Sequence, residues 1–362
     1  MNEDEMFMKK AIELAKKGLH KTCPNPAVGA VIVKDGKIIG KGYHKKAGLD
    51  HAEVDAIKSV SDKSLLNGAT MYVTLEPCNH YGKTPPCSLA ILNSQIKRVC
   101  IGMLDINKTA SGGAQFLKEK GLDVTVGCLA EECYKLNEIF ITNITKQRPL
   151  YAMKAAMLLN GCISIKGGVS RYITSKESLE YVHRLRSRYN GVLVGINTIL
   201  MDDPLLNCRI KRCNQPKRIV LDAFLKIPLS AKIFTFDPTN IYIATTVSSD
   251  LNKKSILQSM GVNIVECALS GDGIDLFDLS KKLLARDICS VLVEGGSRVH
   301  GSFLNANLYD KAHLFYAPKI TGSYGAFNVI GSQAASDFSE VKNLKTYACK
   351  KIGDDIMIEG DF

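Results

Sequence analysis

Short β-rich runs and helical stretches alternate through the first 126 residues, and a chain patterned this way must build a sheet and cover it with helices. Met8, Ala11, Ile12 and Ala15 recur at helical spacing over residues 6–17, with Gly18 as the stop. Two β-rich runs follow, Ala30 to Val33 and Lys37 to Gly40. They join around Asp35-Gly36, a pair that tolerates the positive φ angles of a tight hairpin. His51 to Val60 reads as a helix and Met71 to Leu75 as a strand. Pro86-Cys87 opens the next helix, because proline fits a first helical turn. A strand at Arg98 to Met103, a helix over 113–120 and a strand at Asp123 to Val126 complete the series. Hairpin first, then helix and strand in turn, implies a mixed sheet flanked by helices.

At 362 residues the chain exceeds one ordinary domain, and two are expected. Thr145-Lys146-Gln147-Arg148-Pro149 marks the boundary, dividing residues 1–147 from 148–362. Strand-like runs recur beyond it at Tyr151–Ala155, Gly191–Gly195, Arg218–Leu221, Ile241–Ala244, Val291–Glu294 and Leu314–Tyr316, with a helix over Lys176 to Arg188. The second half is therefore α/β as well.

The opening Met1-Asn2-Glu3-Asp4-Glu5 is acidic, unlike the basic start of a signal peptide, and no apolar run reaches transmembrane length. A cytoplasmic protein with no membrane partner is expected. In a reducing compartment most of the twelve cysteines would be buried thiols, and only those beside other ligand types draw notice. The net charge of +11 is spread over both halves, +4 in residues 1–147 and +7 in the rest. That suits small anionic ligands such as phosphates. With no tryptophan and no aromatic-rich basic stripe, a nucleic-acid partner is not expected.

The chemistry concentrates in His51-Ala52-Glu53 and in Glu76-Pro77-Cys78 through Pro85-Pro86-Cys87. Zinc takes imidazole nitrogen and thiolate sulfur, so His51, Cys78 and Cys87 supply three ligands and leave a fourth tetrahedral position open for water. His51 and Cys87 each begin a predicted helix, whose partial positive charge favours thiolate at Cys87. Glu53 is badly spaced for a fourth ligand. In zinc deaminases an H-x-E glutamate shuttles protons while a P-C motif supplies thiolates. Glu53 would take a proton from water, protonate a ring nitrogen and help expel ammonia. A structural zinc would instead need a fourth protein ligand, with His80 the nearest candidate. Gly82-Lys83-Thr84 is no P-loop, since Pro77 holds the upstream glycine position, and no G-x-G-x-x-G occurs.

The usual deaminase pattern is P-C-x-x-C, whereas eight residues separate Cys78 from Cys87 here. The run Thr74-Leu75-Glu76-Pro77-Cys78-Asn79-His80-Tyr81-Gly82-Lys83-Thr84-Pro85-Pro86-Cys87 closely resembles the bifunctional riboflavin-biosynthesis deaminase–reductases. So do Pro24-Asn25-Pro26-Ala27-Val28-Gly29 and Gly40-Lys41-Gly42-Tyr43-His44-Lys45-Lys46-Ala47-Gly48. The resemblance implies a cytidine-deaminase-like first domain. It would act on 2,5-diamino-6-(5-phosphoribosylamino)pyrimidin-4(3H)-one, with Asn25, His44 and Lys83 at the substrate and Lys83 suited to its phosphate. Asp105 and Asn107 fall in a family substrate loop, although Asp105-Ile106-Asn107-Lys108 departs from the usual D-P-N-P.

Similar matches run through the second half, at Arg148-Pro149, Lys154, Ser170, Ile173-Thr174, Asn197 to Leu206, Arg209 and Glu294-Gly295-Gly296. They imply a dihydrofolate-reductase-like α/β domain that uses NADPH to reduce the ribosyl group of 5-amino-6-(5-phosphoribosylamino)uracil to ribityl. Ala156, Tyr172, Thr198, Asp202, Glu294, Gly295 and Gly296 would lie near NADPH, and Ser170, Arg186, Leu206 and Arg209 near the substrate. From the residues alone, Val293-Glu294-Gly295-Gly296-Ser297 is equally an ordinary strand-to-helix turn or a phosphate cradle. His183, Arg184, Arg186 and Arg188 are either a solvated helix face or a phosphate site. The family's S-L-D-G reads Leu158-Leu159-Asn160-Gly161, a usual Trp is Tyr172 and a usual Asp is Asn190. These departures leave open a deaminase with a silent reductase half; a nucleic-acid base deaminase is the other alternative. A homo-oligomer is expected.

Overall fold

The computed structural model describes residues 2–19, 21–82, 85–165 and 173–362. The chain folds as two compact units, Met1–Gln147 and Arg148–Phe362.

The first unit runs α1 (Glu3–Ala15), β1 (Gly29–Lys34), β2 (Lys37–Tyr43), α2 (Ala52–Ser59), β3 (Thr70–Leu75), α3 (Cys87–Asn93), β4 (Arg98–Met103), α4 (Gly113–Glu119), β5 (Asp123–Val126), α5 (Ala130–Leu136) and α6 (Glu138–Lys146). Helix α1 starts three residues earlier than its apolar spacing suggests, because Asn2 and Glu5 form a reciprocal capping box. Its buried face, Phe7, Met8, Ala11, Ile12 and Ala15, packs on the sheet core of Val31, Ile32, Met71, Val73 and Ile101. Full burial of each larger apolar side chain contributes roughly 2 kcal/mol. The β1–β2 hairpin turns through Asp35 (φ 48°) and Gly36 (φ 70°), the two positive values expected of Asp-Gly. The strand order is β2-β1-β3-β4-β5, with β1 antiparallel to both neighbours and β3, β4 and β5 parallel. The sheet is mixed, as the pattern implies.

The second unit runs β6 (Leu150–Leu158), α7 (Lys176–Arg188), β7 (Gly191–Gly195), α8 (Ile196–Asp202), β8 (Lys217–Leu221), β9 (Ile241–Thr246), α9 (Leu251–Ser259), β10 (Asn263–Cys267), β11 (Leu269–Ser270), β12 (Gly273–Ile274), α10 (Leu276–Leu284), β13 (Ser290–Gly295), α11 (Ser297–Asn305), β14 (Lys311–Ala317), β15 (Thr346–Ile352) and β16 (Asp355–Asp361). Nine strands form one sheet in the order β10-β9-β8-β7-β13-β6-β14-β16-β15, parallel from β10 to β14 and antiparallel thereafter. Buried runs such as Val192-Leu193-Val194 and Val291-Leu292-Val293 are the continuous apolar strands that a covered parallel sheet requires. All six expected strand runs are strands. The β15–β16 pair was not anticipated, because six of the seven β15 residues are exposed and carry no alternating pattern.

Arg148 anchors this unit's first strand. Its guanidinium meets Asp310 at 2.6 and 2.9 Å, and Asp310 also accepts the Tyr151 N–H at 3.0 Å. Asn160, where the family carries an acid, donates its amide to the Thr321 carbonyl at 2.7 Å. A carboxylate could not make that bond.

Candidate active sites

In the first unit the carboxyl ends of parallel strands β3 and β4 meet the N-termini of α2 and α3, where ligands of open α/β sheets bind. His51 is the N-cap residue of α2, and Cys87 is the first residue of α3. Cys78 follows β3 and accepts the Cys87 N–H at 3.4 Å. The His51 Nδ1 lies 3.6 Å from the Cys78 Sγ and 3.3 Å from the Cys87 Sγ, and all three donor atoms fall within 4.8 Å of one another. A tetrahedral metal with bonds of about 2.0–2.3 Å holds such donors about 3.5–3.8 Å apart. The set therefore fits zinc, and His80, the candidate fourth ligand, is not part of it.

Burial and charge prepare the same corner for proton transfer. Glu53, 3% exposed, is pushed up to about 7 by burial, against the pull of His51. A carboxyl poised there both accepts and returns a proton near neutrality. The mutual hydrogen bond between the two cysteines lowers the Cys78 pKa and, together with burial, raises that of Cys87.

A cavity of about 320 Å³ opens beside these groups and is lined by His51, Glu53 and Cys78 together with Asn25, His44, Asp105 and Asn107. The His44 Nδ1 lies 3.0 Å from the Asp50 carbonyl, which makes Nδ1 the donor and Nε2 the acceptor of the Asn25 amide at 3.2 Å. Burial lowers the His44 pKa, keeping that ring neutral. Lys83 lies outside the described residues. One residue in the motif was given no role from sequence. Glu76 is buried, and its carboxylate accepts the N–H groups of Asp105 (3.0 Å), Gly112 (3.1 Å) and Ala114 (3.0 Å). It brackets the Asp105–Asn107 loop and the start of α4 together. Only its place between β3 and Cys78 hinted at this.

In the second unit a cavity of about 750 Å³ sits at the carboxyl ends of β7, β8 and β13, lined by Gly195, Leu221 and Gly295. Thr198, Asp202, Gly295 and Gly296, all expected near NADPH, contribute to its wall. Gly295 (φ 72°) and Gly296 (φ 89°) lead into α11. A Cβ on Gly295 would sit 2.3 Å from the His300 Nε2, so the turn demands glycine on space as well as on backbone angle. The bare helix N-terminus behind it suits the pyrophosphate of a dinucleotide. Of the remaining cofactor expectations, Ala156 and Glu294 are not among the described wall residues, and Tyr172 lies outside the described residues, as does Ser170.

Glu294 instead pairs with Arg186, at 2.6 Å (Nε) and 2.8 Å (Nη2), with Lys154 3.9 Å away. Burial raises the Glu294 pKa, but Arg186 and then Lys154 outweigh it and hold the carboxyl at about 2. Two residues that the resemblance assigns to different ligands thus form one ion pair. The basic run on α7 divides accordingly, Arg184 and Arg188 being exposed and Arg186 partly buried in the pair. Leu206 is buried at φ 54°, and Arg209 is exposed, its N–H 3.4 Å from the His183 Nδ1.

A zinc-binding deaminase unit joined to an α/β unit with a dinucleotide-sized cavity defines a two-activity enzyme of small-molecule metabolism. Residues 1–103 match the model of the cytidine and deoxycytidylate deaminase zinc-binding region, and residues 149–358 match the RibD C-terminal domain. The chain is 42% identical to the riboflavin biosynthesis protein RibD of Aquifex aeolicus over 357 residues, 98% of this chain and 97% of that one. The solved structure of Acinetobacter baumannii RibD superposes with a TM-score of 0.88 at 33% identity, covering 99% of both chains. The diaminohydroxyphosphoribosylaminopyrimidine deaminase/5-amino-6-(5-phosphoribosylamino)uracil reductase of Thermotoga maritima gives a TM-score of 0.85 at 40% identity, covering 99% of this chain and 98% of that one. The chain belongs to the RibD family of bifunctional riboflavin-biosynthesis deaminase–reductases. It is an enzyme with deaminase and reductase activities on a small pyrimidine, and its cofactors are zinc and NADPH.

Proposed function

We propose that residues 1–147 deaminate the phosphoribosylated diaminopyrimidinone and that residues 148–362 then reduce the ribosyl group of the product. The observation that carries the first step is the triangle of His51, Cys78 and Cys87 with the buried Glu53 carboxyl on the wall of the same cavity. Zinc, when bound by these three, supplies the Lewis acidity that makes water a nucleophile at neutral pH. Glu53 takes a proton from the water and delivers it to the ring nitrogen as the oxygen adds to the carbon. It then moves the new hydroxyl's proton to the amine, which leaves as ammonia while the C=O bond forms. Asn25 and His44 orient the pyrimidine, and Asp105 and Asn107, which line the same cavity, bind it as well. Lys83 is assigned the substrate phosphate by resemblance alone.

For the reduction, NADPH supplies the hydride. Thr198, Asp202, Gly295 and Gly296 hold the cofactor, with Ala156, Tyr172 and Glu294 assigned to it by resemblance. Ser170, Arg186, Leu206 and Arg209 are assigned to the sugar phosphate in the same way, and the Arg186–Glu294 pair links the two groups. A cavity of 320 Å³ suits a small molecule, which supports a free pyrimidine over a nucleic-acid strand. Among the described residues no helix is long and apolar enough to cross a membrane, and we assign the enzyme to the cytoplasm. Tyr347 on the edge strand β15 is 70% exposed, and Tyr324 and Phe338 in the preceding connection are 100% and 92% exposed; an unpaired edge strand and bare aromatic rings support association with a second copy.

A coupled assay tests the whole reading. Full-length protein with about one zinc per chain should release ammonia from the diaminopyrimidinone and oxidise NADPH only once the deaminated product is present. Ammonia release from single-stranded DNA or tRNA, but not from the small pyrimidine, would overturn it.

A further inference from the structure

The turn after β8 is held more firmly than a surface turn needs. Asp222, buried, accepts the N–H groups of Lys226 and Ile227, each at 2.8 Å. The Ala223 carbonyl accepts the hydroxyls of Thr245 (3.1 Å) and Thr246 (2.8 Å) on β9, and the Leu225 carbonyl accepts the Lys253 ammonium (2.6 Å) on α9. Leu225 sits at φ 51°, a left-handed backbone that leucine adopts only when its surroundings impose it.

While the backbone is pinned, the side chains of Phe224 and Lys226 stay exposed, and both line the 750 Å³ cavity. The Lys226 Nζ lies 5.9 Å from the centroid of the Phe224 ring. Arg298, the other cation on the described cavity wall, is ion-paired with Asp272. No acid pairs with Lys226 among the described residues. A dinucleotide held with its pyrophosphate at the Gly295–Gly296 turn would have its adenosine elsewhere in the same cavity, whose wall includes Phe224 and Lys226. NADPH differs from NADH only by a phosphate on that adenosine. An aromatic face suits the purine, and a free ammonium beside it suits a phosphate dianion.

We propose that Lys226 selects NADPH over NADH by binding the adenosine 2′-phosphate, with Phe224 stacking on the adenine. This rests on reading the larger cavity as the cofactor site, and equilibrium binding to full-length protein separates the two ideas. Wild type should bind NADPH tighter than NADH. Lys226→Gln should weaken NADPH by about 10- to 100-fold, the loss of one charge-assisted contact, and leave NADH unchanged. Lys226→Arg, which keeps the charge, should retain the preference. Unchanged NADPH affinity in Lys226→Gln, or an equal fall for both nucleotides, would overturn the role of Lys226. If wild type binds neither nucleotide, the cofactor reading of the cavity fails, and this proposal with it.

Discussion

Replacing Glu76 by glutamine tests whether a residue that touches no reacting atom sets the shape of the deaminase site. One Glu76 oxygen accepts the Gly112 and Ala114 N–H groups and the other accepts that of Asp105, at 3.0–3.1 Å. Glutamine keeps one acceptor oxygen. With that oxygen toward α4, its NH2 group faces the Asp105 N–H, donor against donor. One charge-assisted bond is lost and two lose their charge, at about 1.5–3 kcal/mol for the first and less for the others. A destabilisation of about 2–4 kcal/mol follows for the first unit. The Asp105–Asn107 loop, no longer bracketed, should lose its place on the cavity wall, and with the substrate-binding role proposed for it the deaminase KM should rise about tenfold. His51, Cys78 and Cys87 do not depend on these bonds, so bound zinc should stay near one per chain. Urea unfolding, steady-state kinetics and metal analysis on the same preparation read all three quantities. An unchanged KM with an unchanged unfolding midpoint would refute the bracketing role.

Glu53→Gln should retain zinc and lose about 10²- to 10⁴-fold in deaminase turnover, while NADPH binding is unaffected; near-wild-type turnover would remove Glu53 from the proton path. Gly295→Ala should destabilise the second unit and weaken NADPH binding, since its Cβ would lie 2.3 Å from the His300 ring at φ 72°; nucleotide titration and thermal melting check this. Glu294 predicts the acid response of the second unit. Its folded pKa, about 2, is below the ordinary glutamate value of 4.5, so its stabilisation is full above about pH 5 and drains away as pH falls toward 2. The difference corresponds to about 3 kcal/mol, and Glu294→Gln should flatten the pH dependence of unfolding over that window.

The clustering of His51, Cys78 and Cys87 was legible because it rests on rare residue types in a local frame: His51 and Cys87 at helix starts and Cys78 just after a strand. The hairpin was legible for the same reason, Asp35-Gly36 naming its own turn. Helices α5 and α6 were not read, and β15 could not be, since its exposed side chains carry no period of two. The resemblance put Arg186 and Glu294 at different ligands, and nothing local could join two residues 108 positions apart.

Sequence by itself therefore determined the ligand chemistry, the α/β class and the strands whose apolar runs mark them as buried, since each of these depends on residue type and short-range spacing. Tertiary structure alone decided which polar groups face one another: Glu76 with the loop 29 to 38 residues downstream, Glu294 with Arg186, and Lys226 with the cavity wall. Hydrogen bonds and ion pairs act over a few ångströms, and only the folded sheet brings residues so far apart in the chain within that reach.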